Sequence, residues 1–402
     1  MSKSKKKKKN NDNNEFNFFV NSNFTVFEVI LFIFSSVIFG MIAGCILTYS
    51  SSSLSLIRSD SHLSEIINTY KGLSSDFYGD VDKDRLTNSA IKGMIESLDD
   101  PNSVFLANDV GDDFNDYIDG KYVGIGIDVV FEDEYFVVSD VVPYGPADKV
   151  GVKIDDTIIS INDIDCHNIT TKEISNLIRG GSDKKIKLVV KRDDEEKTFN
   201  VEREYIDIVN VTDNIYKTEN NKIGYIHISL FSSNTYNQFN DSLKVLNKEG
   251  IDSLIIDLRD NPGGHLDQTG KILDLFFKKK TVLYRLKNKD NVTKIKASNN
   301  KSTSYPIVIL INESSASAAE AMTACFMDNY SNITVIGTKS YGKGTVQRSM
   351  TLNSGKTIKY TIEEWLTPKG KSIDGIGIEP DITIENDGSE DLQLNEAINK
   401  LK

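Results

Sequence analysis

Ser317 lies in Ala316-Ser317-Ala318-Ala319-Glu320, and twenty-six positions later Lys343 stands in Gly342-Lys343-Gly344-Thr345-Val346-Gln347. A serine hydroxyl, a lysine amine and an amide four residues beyond it are the parts of a nucleophilic hydrolase that works without histidine. The whole chain has only four His in 402 residues. To act as a base, Lys343 must be neutral near pH 7, which requires burial that lowers its pKa. Its neighbours Tyr341, Gly342, Gly344, Thr345 and Val346 carry no charge. If this run is a strand, Gln347 projects on the same face as Lys343, and its carbonyl would accept from the amine. Taken singly, each feature has a plainer reading: Ser317 as a helix N-cap, Lys343 as a solvated loop residue, and Asn261-Pro262-Gly263-Gly264 as ordinary turn chemistry.

The elements that must carry these residues alternate in type. Leu254 to Leu258 and Pro306 to Ile311 are apolar throughout, as buried parallel strands are. Asn234 to Glu249, Leu266 to Phe277 and Ser317 to Asn329 read as helices, and Thr334 to Gly337 and Val346 to Met350 as strands. This is α/β layering, in which chemistry gathers at the carboxyl ends of the strands. Ser317 at a helix start would have free N–H groups beside it, and a glycine of the Asn261 to Gly264 turn would bring up another. Together they suit a developing oxyanion. Upstream, strands at 122–130, 135–138, 155–162 and 185–191 alternate with helices at 146–151 and Thr171 to Arg179. Helical spacing marks 63–98, broken at Asp99-Asp100-Pro101-Asn102, and Asp391 to Lys402 reads as a last amphipathic helix.

The net charge is −12, although six lysines (Lys3 and Lys5 to Lys9) crowd the first ten residues, so nucleic acid is not expected as the main partner. Cys45, Cys166 and Cys325 form no spaced pair, so neither a disulfide framework nor a zinc ribbon can be read from them and free buried thiols are expected. Val29 to Leu47 runs without a charge for about the length of a bilayer core. With the lysines before it, a signal anchor is expected, residues 1–25 cytoplasmic and the rest outside. A cleaved signal would be shorter. Ile42-Ala43-Gly44-Cys45 resembles a lipoprotein box but is followed by apolar Ile46-Leu47.

The 120–204 segment resembles a PDZ domain: Tyr122-Val123-Gly124-Ile125-Gly126-Ile127, then Pro146-Ala147-Asp148-Lys149-Val150-Gly151, a strand, a helix and a strand. The resemblance implies capture of an extended peptide, whose terminal carboxylate meets the loop Val123, Gly124, Ile125, Gly126 and Ile127. Nearly everything after the membrane segment resembles the C-terminal processing peptidases, or tail-specific proteases. The matches are the run just quoted with Leu177-Ile178-Arg179-Gly180, Leu258-Arg259-Asp260-Asn261-Pro262-Gly263-Gly264, Ser315 to Glu320, Tyr341 to Gln347 and Leu366-Thr367-Pro368-Lys369-Gly370. That resemblance implies Ser317 as nucleophile, Lys343 as general base, Gln347 orienting it, Gly263 and Ala318 as oxyanion donors, and Arg179 as a sensor of bound substrate. It further implies no metal or organic cofactor, and a homodimer through the terminal helices.

The departures leave every proposed catalytic atom in place: Glu313-Ser314 where a glycine is usual, Ala319 for a second serine, and His265 where leucine is commoner. A Ser–His arrangement through His265, a Walker-like reading of Gly337 to Thr345, and a catalytically inactive PDZ-bearing scaffold are the rival readings. The Walker reading fails because Gly344, not Ser or Thr, follows the lysine. The expected fold is an α/β protease core with an α+β PDZ domain, an N-terminal helical segment and one transmembrane helix. The divisions are a tail at 1–25, the anchor at 26–49, linker and helices at 50–118, PDZ at 119–205, protease at 206–386 and a final helix at 387–402. The expected function is membrane-anchored serine endopeptidase acting on protein or peptide substrates with free C-terminal tails.

Overall fold

The computed structural model describes residues 26–49, 60–106, 116, 118–180, 184–300, 303–386, 388 and 390–402. The lysine cluster and the Ser-rich stretch 50–59 lie outside them. The chain divides into two compact units, Met1–Ala90 and Ile91–Lys402. In the first, α1 (Val26–Tyr49) includes the span Phe27–Cys45, whose mean hydropathy of 2.2 over 19 residues suffices to cross a membrane. Next, α2 (Ser61–Asp76) is capped by Asp60, whose carboxylate accepts the His62 and Leu63 N–H groups. The helix α3 (Lys83–Glu96) runs across the division.

In the second unit β1 (Val104–Leu106), β2 (Lys121–Gly124), β3 (Ile127–Glu132), β4 (Tyr135–Val141), α4 (Pro146–Val150), β5 (Thr157–Ile161), β6 (Ile164–Asp165), α5 (Thr171–Arg179), β7 (Lys185–Arg192), β8 (Glu195–Glu202) and β9 (Glu204–Asp207) follow in order. The sequence suggested one strand over 122–130; the structure makes two. Gly126 adopts φ +75°, and the carbonyls of Ile125 and Gly126 accept the N–H groups of Ala147 and Val142. The chain therefore turns from the β2/β9 ribbon into the separate sheet β3-β4-β5-β7-β8, with β6 on β5. Pro146 opens α4 and left-handed Gly151 closes it, while Thr170 and Glu173 form a capping box on α5. Ile174 and Ile178, one turn apart, pack with Ile125, Phe136, Ile158, Leu188 and Val190 into a core of this segment's own.

The chain continues with β10 (Val211–Lys217), β11 (Lys222–Ile228), α6 (Thr235–Glu249), β12 (Ser253–Asp257), α7 (Leu266–Leu273), β13 (Val282–Lys287), β14 (Val292–Lys296), β15 (Ile307–Ile311), α8 (Ala318–Asn329), β16 (Ile333–Gly337), β17 (Thr345–Thr351), β18 (Thr357–Leu366), β19 (Ile382–Thr383) and α9 (Leu392–Lys400). One sheet runs β10-β11-β12-β15-β16-β19, parallel except for β10. Its apolar strands are covered on both faces. Leu254, Ile256 and Ile309 join the core with Phe239, Ile272 and Met322, while Ile255, Val308 and Leu310 pack with Ala397 and Leu401. This is why neither strand alternates with polar residues. The second sheet, β1-β18-β13-β14 with β17 on β18, is antiparallel.

Candidate active site

Ser317 sits between β15 and α8 as the N-cap of α8, with φ 54° and ψ −108°. A positive φ on a β-carbon residue costs on the order of 1–3 kcal/mol and persists only where its surroundings hold it. Here the Ser317 N–H donates to Glu320 Oε2 at 2.7 Å, and the Ala316 N–H to the Asn261 carbonyl at 2.9 Å. Ser315 is fully buried and spends its hydroxyl on the Leu258 carbonyl at 2.8 Å, whereas Ser317 lines a cavity of about 770 Å³.

Lys343 and Gln347 line that same cavity. Lys343 follows β16, the strand next to β15, so adjacent parallel strands deliver the hydroxyl and the amine to one side of the sheet. The glycines beside Lys343 have a packing reason: a Cβ on Gly342 would lie 2.8 Å from the Gly377 nitrogen, and one on Gly344 2.7 Å from Asp374 Cβ. Burial lowers the pKa of Lys343 from the ordinary lysine value, opposed by the carboxylates of Asp100 and Glu320. No hydrogen bond joins Ser317 Oγ to Lys343 Nζ among the described residues. On β17, Gln347 pairs in register with Thr361, just past a register shift after Val346. Its Nε2 donates to Thr345 Oγ1 at 2.8 Å and Thr361 Oγ1 at 3.2 Å. Its Oε1 accepts from no described residue.

Gly263 (φ +104°) backs directly onto Ser317, since a Cβ there would meet Ser317 Cβ at 2.8 Å and the Ala318 nitrogen at 3.1 Å. Its N–H, however, donates to Asn261 Oδ1 at 2.8 Å. The Ala318 and Gly264 N–H groups donate to no described residue, and Gly264 lines the cavity. In the 120s loop Val123 is half-buried and Gly124, Ile125, Gly126 and Ile127 are buried; the N–H groups of Ile125 and Gly126 have no acceptor among the described residues. Arg179 is exposed, its guanidinium 5.1 Å from the Tyr122 ring centroid.

Several residues around the site escaped sequence reasoning. Glu320 was only a landmark, yet its buried carboxylate accepts from the Ser317, Gly342 and Lys343 N–H groups and from Ser340 Oγ. One side chain thus ties the turn of Ser317 to the loop of Lys343. An acid in the first turn of an otherwise small and apolar helix was the available signal. Asp100, read as part of a turn, acts on Lys343 from 243 positions upstream. Burial works against its charged form, but hydrogen bonds led by Ser103 hold its pKa below the ordinary carboxylate value. Arg259 makes paired bonds to Asp257 and Asp391 and a further bond to Gln393, joining the end of β12 to the start of α9.

Residues 222–384 match Peptidase family S41, 137–192 match a PDZ domain, and 48–110 match the activating protease CtpB N-terminal domain. A probable CtpA-like serine protease of Staphylococcus aureus (strain COL) is 34% identical over 337 residues, 83% of this chain and 67% of that protein. The one from Staphylococcus haemolyticus (strain JCSC1435) is 33% identical over 318 residues, 78% of this chain and 63% of its own. Among solved structures, a photosystem II D1 C-terminal processing protease superposes with TM-score 0.48 at 22% identity, covering 83% of this chain and 88% of that one.

Proposed function

The chain belongs to peptidase family S41 and is a PDZ-bearing serine protease, and from this we propose that it is a membrane-anchored endopeptidase that captures free C-terminal tails and cuts by a Ser–Lys mechanism. The observation that carries the mechanism is the placing of Ser317, Lys343 and Gln347 on one cavity with the lysine pKa held down by burial. Neutral Lys343 takes the Ser317 proton as Oγ attacks the scissile carbonyl carbon. The tetrahedral oxyanion is held by backbone N–H groups of Gly263 and Ala318. Lys343 then gives its proton to the leaving amine, and water repeats the sequence on the acyl-enzyme. Gln347 Oε1 accepts from the lysine amine and keeps it turned toward the serine.

Two contacts must change for this to happen: Ser317 and Lys343 must close to hydrogen-bond distance, and Gly263 must release Asn261. Gly264, whose N–H is already without a described acceptor, is a substitute donor. The tail's terminal carboxylate is received by the 123–127 loop, where the N–H groups of Ile125 and Gly126 stand ready, and Arg179 reports its arrival. The domain divisions follow the sequence reading, with PDZ at 119–205 and protease at 206–386. The span Phe27–Cys45 is the anchor, with the lysine-rich end inside and the protease outside. Two copies pair through the 63–98 helices and the C-terminal helix.

The test uses the full chain in detergent with a peptide ending in apolar residues. The parent should cut it, and Ser317→Ala and Lys343→Ala should not. Equal rates for parent and variants would end the Ser–Lys mechanism, and indifference to amidation of the peptide's C-terminus would end tail recognition. A Ser317→Ala protein that binds tails as the parent does, beside a parent that never cuts, would favour the scaffold reading.

A further inference from the structure

The cavity that holds Ser317 is lined also from the foot of the β2/β9 ribbon, by Ile118 and Asp119. Everything that joins the β3–β8 sheet to the catalytic sheet passes this ribbon, since β2 leads in and β9 leads out. Its foot is fastened to the loop after β11. The Asp119 carbonyl accepts Ser233 Oγ of that loop at 2.7 Å, while the Gly120 carbonyl accepts the Ile208 N–H at 2.7 Å and so holds the two strands of the ribbon together. Gly120 (φ +70°) lies so close to Ser232 that no Cβ would fit.

The same loop grips the turn that carries Gly263. The Phe231 N–H donates to the Gly263 carbonyl at 2.7 Å, and the His265 N–H to the Phe231 carbonyl at 2.6 Å. One further contact closes the circuit: His265 Nε2 lies 3.1 Å from Asp119 Oδ1. Foot, loop and turn are therefore linked in a ring, and the imidazole–carboxylate contact is its side-chain to side-chain member. Lys121 also reaches Asp119, at 3.5 Å, and so helps keep that carboxylate in place. Sequence alone offered His265 only as a rival base for Ser317. In the structure its Nε2 is engaged with Asp119.

We propose that His265 and Asp119 form a positioning pair for the cleavage step, locking the turn of Gly263 and Gly264 to the foot of the PDZ ribbon. The inference rests on the proposed function, because it concerns the oxyanion turn of that reaction. A pair that sets the turn affects how well the transition state is held and leaves tail capture alone, so its loss falls on kcat and spares KM. Both side chains are partly exposed, and a contact of this kind is worth a modest factor.

The experiment is a double-mutant cycle on the full chain in detergent, using the tail peptide that the parent cuts. His265→Ala and Asp119→Ala should each lower kcat about three- to tenfold. The double variant should be no slower than the worse single one, KM should stay within about twofold, and His265→Gln, which keeps a donor, should recover most of the rate. Multiplying losses in the double variant, a change confined to KM, or no rescue by glutamine would each overturn the pair's role. Melting curves on every variant separate these outcomes from unfolding. A parent that fails to cut at all would count against the proposed function instead.

Discussion

Replacing Glu320 by glutamine preserves the shape of the side chain and reverses one of its two ends. Glu320 Oε2 accepts the Ser317 and Lys343 N–H groups at 2.7 and 2.9 Å, while Oε1 accepts Ser340 Oγ and the Gly342 N–H at 2.5 and 2.7 Å. With the NH₂ at Oε2 the Ser317 and Lys343 N–H groups both face a donor; with it at Oε1 the Gly342 N–H does, while the Ser340 hydroxyl can turn to accept. A hydrogen bond to a charged group contributes about 1.5–3 kcal/mol, so the loss is about 3–6 kcal/mol in the first orientation and about half that in the second. Part of it appears as lower stability. If about 3 kcal/mol falls on the positions of Ser317 and Lys343, kcat drops roughly a hundredfold. Ser317 is especially exposed to this, because its strained backbone is held by a bond that is lost in one orientation and weakened in the other. Glu320→Asp, which keeps the charge but withdraws it by one methylene, should fall in between. Steady-state cleavage of a fluorogenic tail peptide, with thermal melting by circular dichroism, reads both effects. A folded Glu320→Gln protein with the parental Tm and kcat within about threefold would refute the clamp.

Other outcomes follow from the same geometry. Asp100 favours the charged form of Lys343, so Asp100→Asn should lower the lysine pKa and shift the rising limb of the kcat–pH profile to lower pH; an unmoved limb would disconnect Asp100 from the base. Because the folded pKa of Lys343 lies below its unfolded value, the unfolded chain binds more protons between the two, and stability rises with pH across that window. Lys343→Met should therefore melt higher than the parent at neutral pH, with the advantage shrinking toward the ordinary lysine range; a lower Tm at pH 7 would contradict the burial. Gly263→Ala should abolish cleavage and lower stability, since its Cβ would strike Ser317 Cβ at 2.8 Å and its φ is +104°; activity above a tenth of the parent's would show that the turn adapts. Removing Arg259 from its buried pairing with Asp257 should cost about 3–5 kcal/mol, and Arg259→Leu should expose α9 to proteolysis.

Much of this was legible in the chain. The apolar strands at Leu254 and Ile307, the Thr171–Arg179 helix with its Thr170 cap, and the Gly151 stop all obey local rules of period and capping. What sequence could not give were contacts set by long-range packing. Asp100 lies 243 positions before Lys343, and Asp391 lies 132 after Arg259; nothing local marks either as a partner. The strand suggested over 122–130 failed for a different reason. Alternating apolar residues continued through Gly126, but that residue's left-handed backbone turned the chain into another sheet. Glu320 was visible and undervalued, because burial of a carboxylate is a property of the fold and three of its four donors lie twenty or more residues downstream, at 340–343.

The β2/β9 ribbon has a consequence for how such a protein changes over time. The chain leaves the hydrolytic half at Lys121 and returns at Asp207, and these two residues face each other in register. To the protease, everything between them is a large loop whose ends are already closed. A cassette with that property can be exchanged, enlarged or retuned without rerouting the backbone of the half that cuts. Substrate preference and bond-breaking chemistry can then diversify on separate schedules, with the small ring of contacts at the ribbon's foot as the joint that every new cassette must still fit.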